Sequence, residues 1–160
     1  MKRFVILVGH GGVPTDCPPT LVAEFKKAEA KAAAQHGPTP ELAAADKKLR
    51  SWPRTPQTDP YKWGLEAIAA SLAQKGFTVL PAYNEFCAPS LEDAFEDAVR
   101  QGAADISIIT TMFTRGGIHS EREIPALVNT LKSKHPGVTV NYRWPFDLNL
   151  VASFLAQALS

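Results

Sequence analysis

Apolar positions along the chain follow two rhythms. Short, nearly continuous apolar runs occur at Arg3 to Val8, Phe77 to Tyr83, Asp105 to Met112 and Val138 to Tyr142, which is the pattern of strands buried on both faces. Between them the spacing becomes helical. Trp63, Leu65, Ile68, Ala69 and Leu72 recur on one side of a helix that Gly76 closes. Pro89-Ser90-Leu91-Glu92-Asp93-Ala94 opens a second helix ending near Gly102, and Glu123-Ile124-Pro125 opens a third, with proline in the first turn where its missing N–H is harmless. Leu148 to Leu159 reads as a last helix. Strands alternating with amphipathic helices predict an α/β fold: a four-stranded parallel sheet with helices on both faces.

The stretch from Thr15 to Pro60 breaks this alternation. Leu21 to Ala34 and Glu41 to Leu49 have helical composition, separated by the breaker His36-Gly37-Pro38-Thr39-Pro40. Prolines at 53, 56 and 60 then forbid regular structure before Tyr61. The Lys-rich part, Lys26 to Lys48, is interleaved with Glu and Ala and reads as a solvated helix face.

With 160 residues, 45% of them hydrophobic, the chain is expected to form one domain spanning 1–160 around a single core. Its net charge of +1 and the lack of a basic stripe argue against nucleic acid as a partner. No run approaches the ~20 apolar residues of a membrane span. Cys17 and Cys87 lack CxxC spacing, which fits reduced thiols and a cytoplasmic location, with Cys87 a small buried hydrophobe. The N-terminal apolar run meets His10 directly and reads as strand rather than targeting segment.

The candidate chemistry sits where strands end. His10 follows the first, Glu85 lies just past the second, and His119 follows the third. Right-handed crossovers place all three on one edge of a parallel sheet, with neighbouring strands about 4.8 Å apart. Two imidazoles and a carboxylate suit a borderline divalent metal, or divide into proton acceptors and a metal-steering acid. His36 and His135 fall in loops and read as solvated. Gly11, Gly12, Gly116 and Gly117 allow a flat ligand to approach the backbone, and Arg115 could meet its carboxylates. Tyr83, Phe113, Trp144 and Phe146 could stack on such a ligand, although core packing is the commoner use. Arg143 reads as a surface cation or a second carboxylate contact. There is no GxxxxGK[ST] loop for ATP and no GxSxG serine elbow. Val8 and Gly9, not arginine, precede His10, which weakens a phosphohydrolase with a histidine nucleophile.

The ordered set of His10-Gly11, Tyr83-Asn84-Glu85-Phe86-Cys87-Ala88-Pro89-Ser90-Leu91-Glu92-Asp93-Ala94, Gly116-Gly117-Ile118-His119 and Glu123-Ile124-Pro125 resembles the sirohydrochlorin chelatases. These are the ATP-independent, class II metal-inserting enzymes of cobalamin and siroheme synthesis. The likeness covers residues 3 to 12 and about 61 to 159. It implies a flavodoxin-like sheet and insertion of Co, Fe or Ni, as substrate and not as resident cofactor, into a sirohydrochlorin-like tetrapyrrole. His10 and His119 would handle the metal or pyrrole protons, and Glu85 the metal. The chain departs from the pattern at Ala88, where many members carry an acid, at Glu123, which replaces an Asp, and over residues 15 to 60, an apparent insertion suited to a lid or dimer arm. A homodimer is compatible with the resemblance. A non-catalytic metal or tetrapyrrole carrier is the alternative reading.

Overall fold

A computed structural model describes residues 2–159, except the side chain of Lys2. Its sheet consists of β1 (Lys2–Gly9), β2 (Thr78–Tyr83), β3 (Ala103–Thr110) and β4 (Thr139–Tyr142), all parallel, in the order β2-β1-β3-β4. Pro81 lies inside β2, where an edge strand tolerates a residue with no N–H to donate. The register pairs Gly9 with Tyr83 and Val8 with both Ala82 and Thr110. The first three strands therefore finish level, and the residues that follow emerge on one edge.

The helices are α1 (Pro19–Ala34), α2 (Pro40–Arg50), α3 (Pro60–Ala73), α4 (Leu91–Arg100), α5 (Ile124–Lys134) and α6 (Leu148–Gln157). Alternation along β1 divides the core. Phe4, Ile6 and Val8 join Ile106 and Ile108 of β3 beneath α4 and α5, which supply Phe95, Ile124, Val128 and Leu131. Leu7 faces the other way, onto Leu65 and Ala69 of α3 with Tyr83 and Cys87. Ile68, expected in this apolar stripe, is 48% exposed, because α3 presents only a narrow face to the sheet. The α4 terminus is fixed by a capping box in which Ser90 and Asp93 exchange side-chain and backbone hydrogen bonds.

Residues 15 to 60 form their own small core. Phe25 and Ala28 of α1 pack on Ala45 and Leu49 of α2 together with Cys17, and Trp52 and Phe86 close the cluster. Phe86 belongs to the loop after β2, so this helical pair is joined to the sheet through the segment that carries Glu85. Among the described residues, no helix is long and apolar enough to cross a membrane.

Candidate metal centre

His10, Glu85 and His119 meet at the carboxyl edge of the sheet, with one ligating atom from each lying within 4.8 Å of the others. Backbone pairing past the strand ends brings them there. The Asn84 N–H donates to the Gly9 carbonyl at 2.9 Å and the Glu85 N–H to the His10 carbonyl at 2.8 Å, so the β1 and β2 edges stay zipped for two more residues. The His10 N–H is satisfied by the Tyr61 hydroxyl at 2.7 Å. After β3 the chain makes a longer excursion through Arg115 to Gly117. It returns as a single wide helical turn, His119–Glu123, of the kind that often marks functional sites.

The hydrogen bonds orient both imidazoles. His10 Nδ1 lies 2.9 Å from the Gly11 carbonyl, which can only accept, so the proton is assigned to Nδ1 and the Nε2 lone pair faces Glu85 Oε2 at 3.7 Å. His119 Nδ1 lies 2.7 Å from Glu123 Oε2, and Asn84 Nδ2 donates to the same oxygen at 3.1 Å. His119 Nε2 then faces Glu85 Oε1 at 3.9 Å. Burial alone would raise the Glu123 carboxyl, but the hydrogen bonds from His119 and Asn84 and the nearby imidazoles outweigh it and hold it below the ordinary 4.5. Two imidazole Nε2 atoms and a carboxylate thus aim at one another across gaps too long for hydrogen bonds. The spacing approaches that of donors sharing one ion at about 2 Å each, after small side-chain rotations. A carboxylate behind a ligating imidazole is the usual way of fixing its tautomer and raising its basicity.

The family model described as CbiX matches residues 58–159. The chain belongs to the CbiX family. That match bears out the sirohydrochlorin chelatase resemblance drawn from the motifs, and it begins just where the irregular stretch ends. His10 lies outside the matched span. No curated protein sequence matches the chain. Among solved structures, the chain is similar to a CbiX protein of Marinobacter aquaeolei VT8 whose name links it to cobalamin (vitamin B12) biosynthesis, at 16% identity and a TM-score of 0.57, covering 98% of this chain and 93% of that one. It is also similar to the sirohydrochlorin chelatase SirB of Bacillus subtilis subspecies spizizenii in complex with cobalt, at 20% identity and a TM-score of 0.46, covering 89% of this chain and 42% of that one. SirB from Bacillus subtilis with Fe3+ aligns at 19% identity and a TM-score of 0.47, with 89% and 39% covered. The chain therefore spans about two fifths of those SirB chains.

Within this CbiX-family chain, the residues that hold Glu85 in place come from outside the matched span. Arg50, the last residue of α2, donates from Nη1 to the carbonyls of Tyr83 at 3.2 Å and Cys87 at 2.6 Å, and from Nη2 to that of Asn84 at 2.8 Å. Asp46 anchors its Nε at 2.7 Å. Arg54 donates to the carbonyls of Phe86 and, at 2.9 Å, Gly12, while pairing with Asp59, and both side chains of that pair are almost fully buried. Asp59 also caps α3 through the Lys62 N–H at 3.0 Å. Two guanidinium groups thus hold the backbone around Glu85 through its carbonyls. In the sequence they lie among the prolines and lysines of the irregular stretch, and only the direction of their forks, absent from a residue string, sets them apart.

The other site candidates divide. Gly11 has φ +98°, and a Cβ there would lie 1.9 Å from the Glu85 carbonyl oxygen, so glycine is required by the protein's own packing. The Gly12 carbonyl serves Arg54. Arg115 is 68% exposed and lies 3.8 Å from Glu121, whose carboxylate also accepts the Gly116 N–H at 2.9 Å. Gly117 supplies its carbonyl to the Glu121 N–H at 3.0 Å. Tyr83 is fully buried in the α3-side core and donates to the Lys62 carbonyl. Phe113, Trp144 and Phe146 form an aromatic cluster beyond β3 and β4, whereas Arg143 lines a groove on the α3 side of the sheet. His135 is not simply solvated: its Nε2 meets Glu96 at 2.9 Å against the Phe95 ring. A cavity of about 370 Å³ between the helical pair and the sheet edge is lined by Glu29, Asp46, Glu85 and Glu123.

Proposed function

We propose that this protein is a sirohydrochlorin-type chelatase that inserts a divalent metal, Co or Fe and in principle Ni, into a tetrapyrrole without ATP, in the cytoplasm. The observation that carries this reading is the convergence of His10 Nε2, His119 Nε2 and Glu85 on one point of the sheet edge. Membership of the CbiX family and the names of the similar solved proteins support it.

The chemistry follows from the donor set. Imidazole and carboxylate suit borderline divalent ions and let them go again, as a delivered substrate requires. The Glu85 carboxylate offsets the cation's charge while its waters are replaced. A tetrapyrrole must lose two N–H protons as the metal enters, and a neutral imidazole with a free Nε2 lone pair is a competent acceptor near neutral pH. Glu123 would stabilise the imidazolium formed at His119, and the Gly11 carbonyl would orient His10. Arg115, exposed beside Gly116, is the available cation for a tetrapyrrole carboxylate. Residues 15 to 60 serve here as a brace for the Glu85 loop and as a wall of the acidic cavity.

The test is anaerobic incubation of purified protein with sirohydrochlorin and Co²⁺, Fe²⁺ or Ni²⁺ in turn, following the visible spectrum. Metal insertion faster than the protein-free rate is expected, with His10→Ala and His119→Ala each lowering it by at least about 100-fold, the scale of lost acid–base catalysis. Rates equal to the protein-free control for every metal would reject the enzyme, and retained metal or tetrapyrrole binding in that case would favour a carrier.

A further inference from the structure

We infer that a pocket between α3 and the end of β3 seats a carboxylate arm of the tetrapyrrole, with the Tyr61 and Thr111 hydroxyls as donors and Gly64 leaving the room it occupies. The inference rests on tetrapyrrole binding, one half of the chelatase reading, and gives part of the macrocycle's rim a place.

The pocket, of about 320 Å³, is lined by Tyr61, Gly64, Leu65, Ile68 and Thr111. It adjoins the metal centre through backbone. The Tyr61 hydroxyl accepts the His10 N–H at 2.7 Å, and the Thr111 N–H donates to the Val8 carbonyl at 3.0 Å. A Cβ on Gly9 would lie 2.8 Å from Leu65 and 2.9 Å from the Tyr61 oxygen, so the end of β1 is pressed against this wall.

Gly64 is the first sign that the space serves a ligand. It lies inside α3, where glycine is the least favoured residue after proline. At Gly9 and Gly11 a side chain would collide with its neighbours, whereas a Cβ on Gly64 would meet nothing within 4 Å. The protein's own packing therefore does not require this glycine, and a larger side chain there would occupy the pocket. Ile68, left 48% exposed on the same helix, supplies apolar surface to the same hollow.

The second sign is unused hydrogen-bonding capacity. Among the described residues, the Tyr61 O–H has no acceptor and the Thr111 hydroxyl has no partner. By accepting the His10 N–H, the phenol becomes polarised and a better donor. Tyr61 is 40% exposed, so that donor is open to a ligand.

Charge then selects the occupant. The cavity beside the helical pair is lined by Glu29, Asp46, Glu85 and Glu123 and repels an anion. The pocket beside α3 has no acidic lining residue. The acetate and propionate arms of a sirohydrochlorin rim are ionised at neutral pH, and hydroxyls donate strong, charge-assisted hydrogen bonds to such groups. An arm on this side of His10 is therefore drawn to Tyr61 and Thr111, its methylenes lying against Leu65 and Ile68.

Titration of metal-free sirohydrochlorin, followed by its fluorescence, measures this contact without turnover. Tyr61→Phe and Gly64→Leu should each weaken binding by about 10-fold or more, the scale of one hydrogen bond to a charged group. Leucine suits a helix and meets no neighbour here, so Gly64→Leu should stay folded by circular dichroism and keep wild-type affinity for Co²⁺ alone. In Co²⁺ insertion the loss should appear in the KM for sirohydrochlorin. Wild-type sirohydrochlorin affinity in either folded variant would overturn the pocket, while insertion by the wild type would leave the chelatase reading standing. A Tyr61→Phe protein that loses Co²⁺ affinity yet keeps sirohydrochlorin affinity would also overturn it, making the phenol a support for His10 alone. A wild type that binds sirohydrochlorin without inserting metal, with both variants weakened, would uphold the pocket and reject the enzyme.

Discussion

Gly11 and Glu85 occupy one another's only available space. The Glu85 carbonyl oxygen sits 1.9 Å from where a Gly11 Cβ would be, while the Glu85 N–H bonds the His10 carbonyl. The histidine and the carboxylate of the centre are therefore joined directly through their own backbone groups.

Replacing Gly11 with Ala should force this contact apart. The positive φ adds its own strain, so a loss of roughly 1–3 kcal/mol is expected from the denaturant midpoint. Displacement of Glu85 should also weaken Co²⁺ binding. A Gly11→Ala protein with wild-type stability and metal affinity would show that the loop is not braced by this contact.

Arg50 and Arg54 give a second, separable prediction. Arg54→Ala strands the buried Asp59 carboxylate and should destabilise by about 3–5 kcal/mol. Arg50→Ala leaves three carbonyls without a charged donor, a loss of about 1.5–3 kcal/mol. Lysine cannot reproduce a fork that reaches several acceptors, so Arg50→Lys should recover little of that stability. Full recovery by lysine would mean that the charge alone matters.

Both thiols should be quiet in the native protein. Burial raises the Cys17 and Cys87 thiols above their ordinary value of 9.0, against the opposing pull of Arg54, so the thiolate fraction at neutral pH is smaller than for a free cysteine. Reaction with a disulfide reagent should be slow and should accelerate with unfolding. A rapidly labelled native thiol would contradict the packing around Phe86 and α3.

The sheet was legible because its strands are apolar on both faces and its helices begin at punctuation such as Pro89-Ser90 and Ile124-Pro125. The meeting of His10, Glu85 and His119 could be anticipated because parallel topology sends every strand end to one edge. What holds them there could not. The bracing by Arg50 and Arg54 depends on where two guanidinium forks point across 30 to 40 residues of chain. The exposure of Ile68 and the pairing of His135 with Glu96 likewise depend on how one helix lies on its neighbours, which apolar spacing does not encode.

Glu123→Gln tests whether the carboxylate behind His119 positions the imidazole. The amide keeps the shape but can offer its N–H to Nδ1, which would move the ring proton to Nε2 and point it at the metal. Co²⁺ affinity measured by titration calorimetry should fall about 10–100-fold, the usual consequence of losing a carboxylate behind a ligating histidine. The pH dependence of stability has a definite sign. Glu123 is held below its ordinary 4.5 in the folded chain, so its contribution is fully present above pH 4.5 and is lost as pH falls through the lower folded value. The denaturant midpoints of wild type and Glu123→Gln should therefore differ near neutrality and converge in acid. Equal Co²⁺ affinity in the two proteins, with the variant folded, would show that Glu123 does not set the ring that His119 presents.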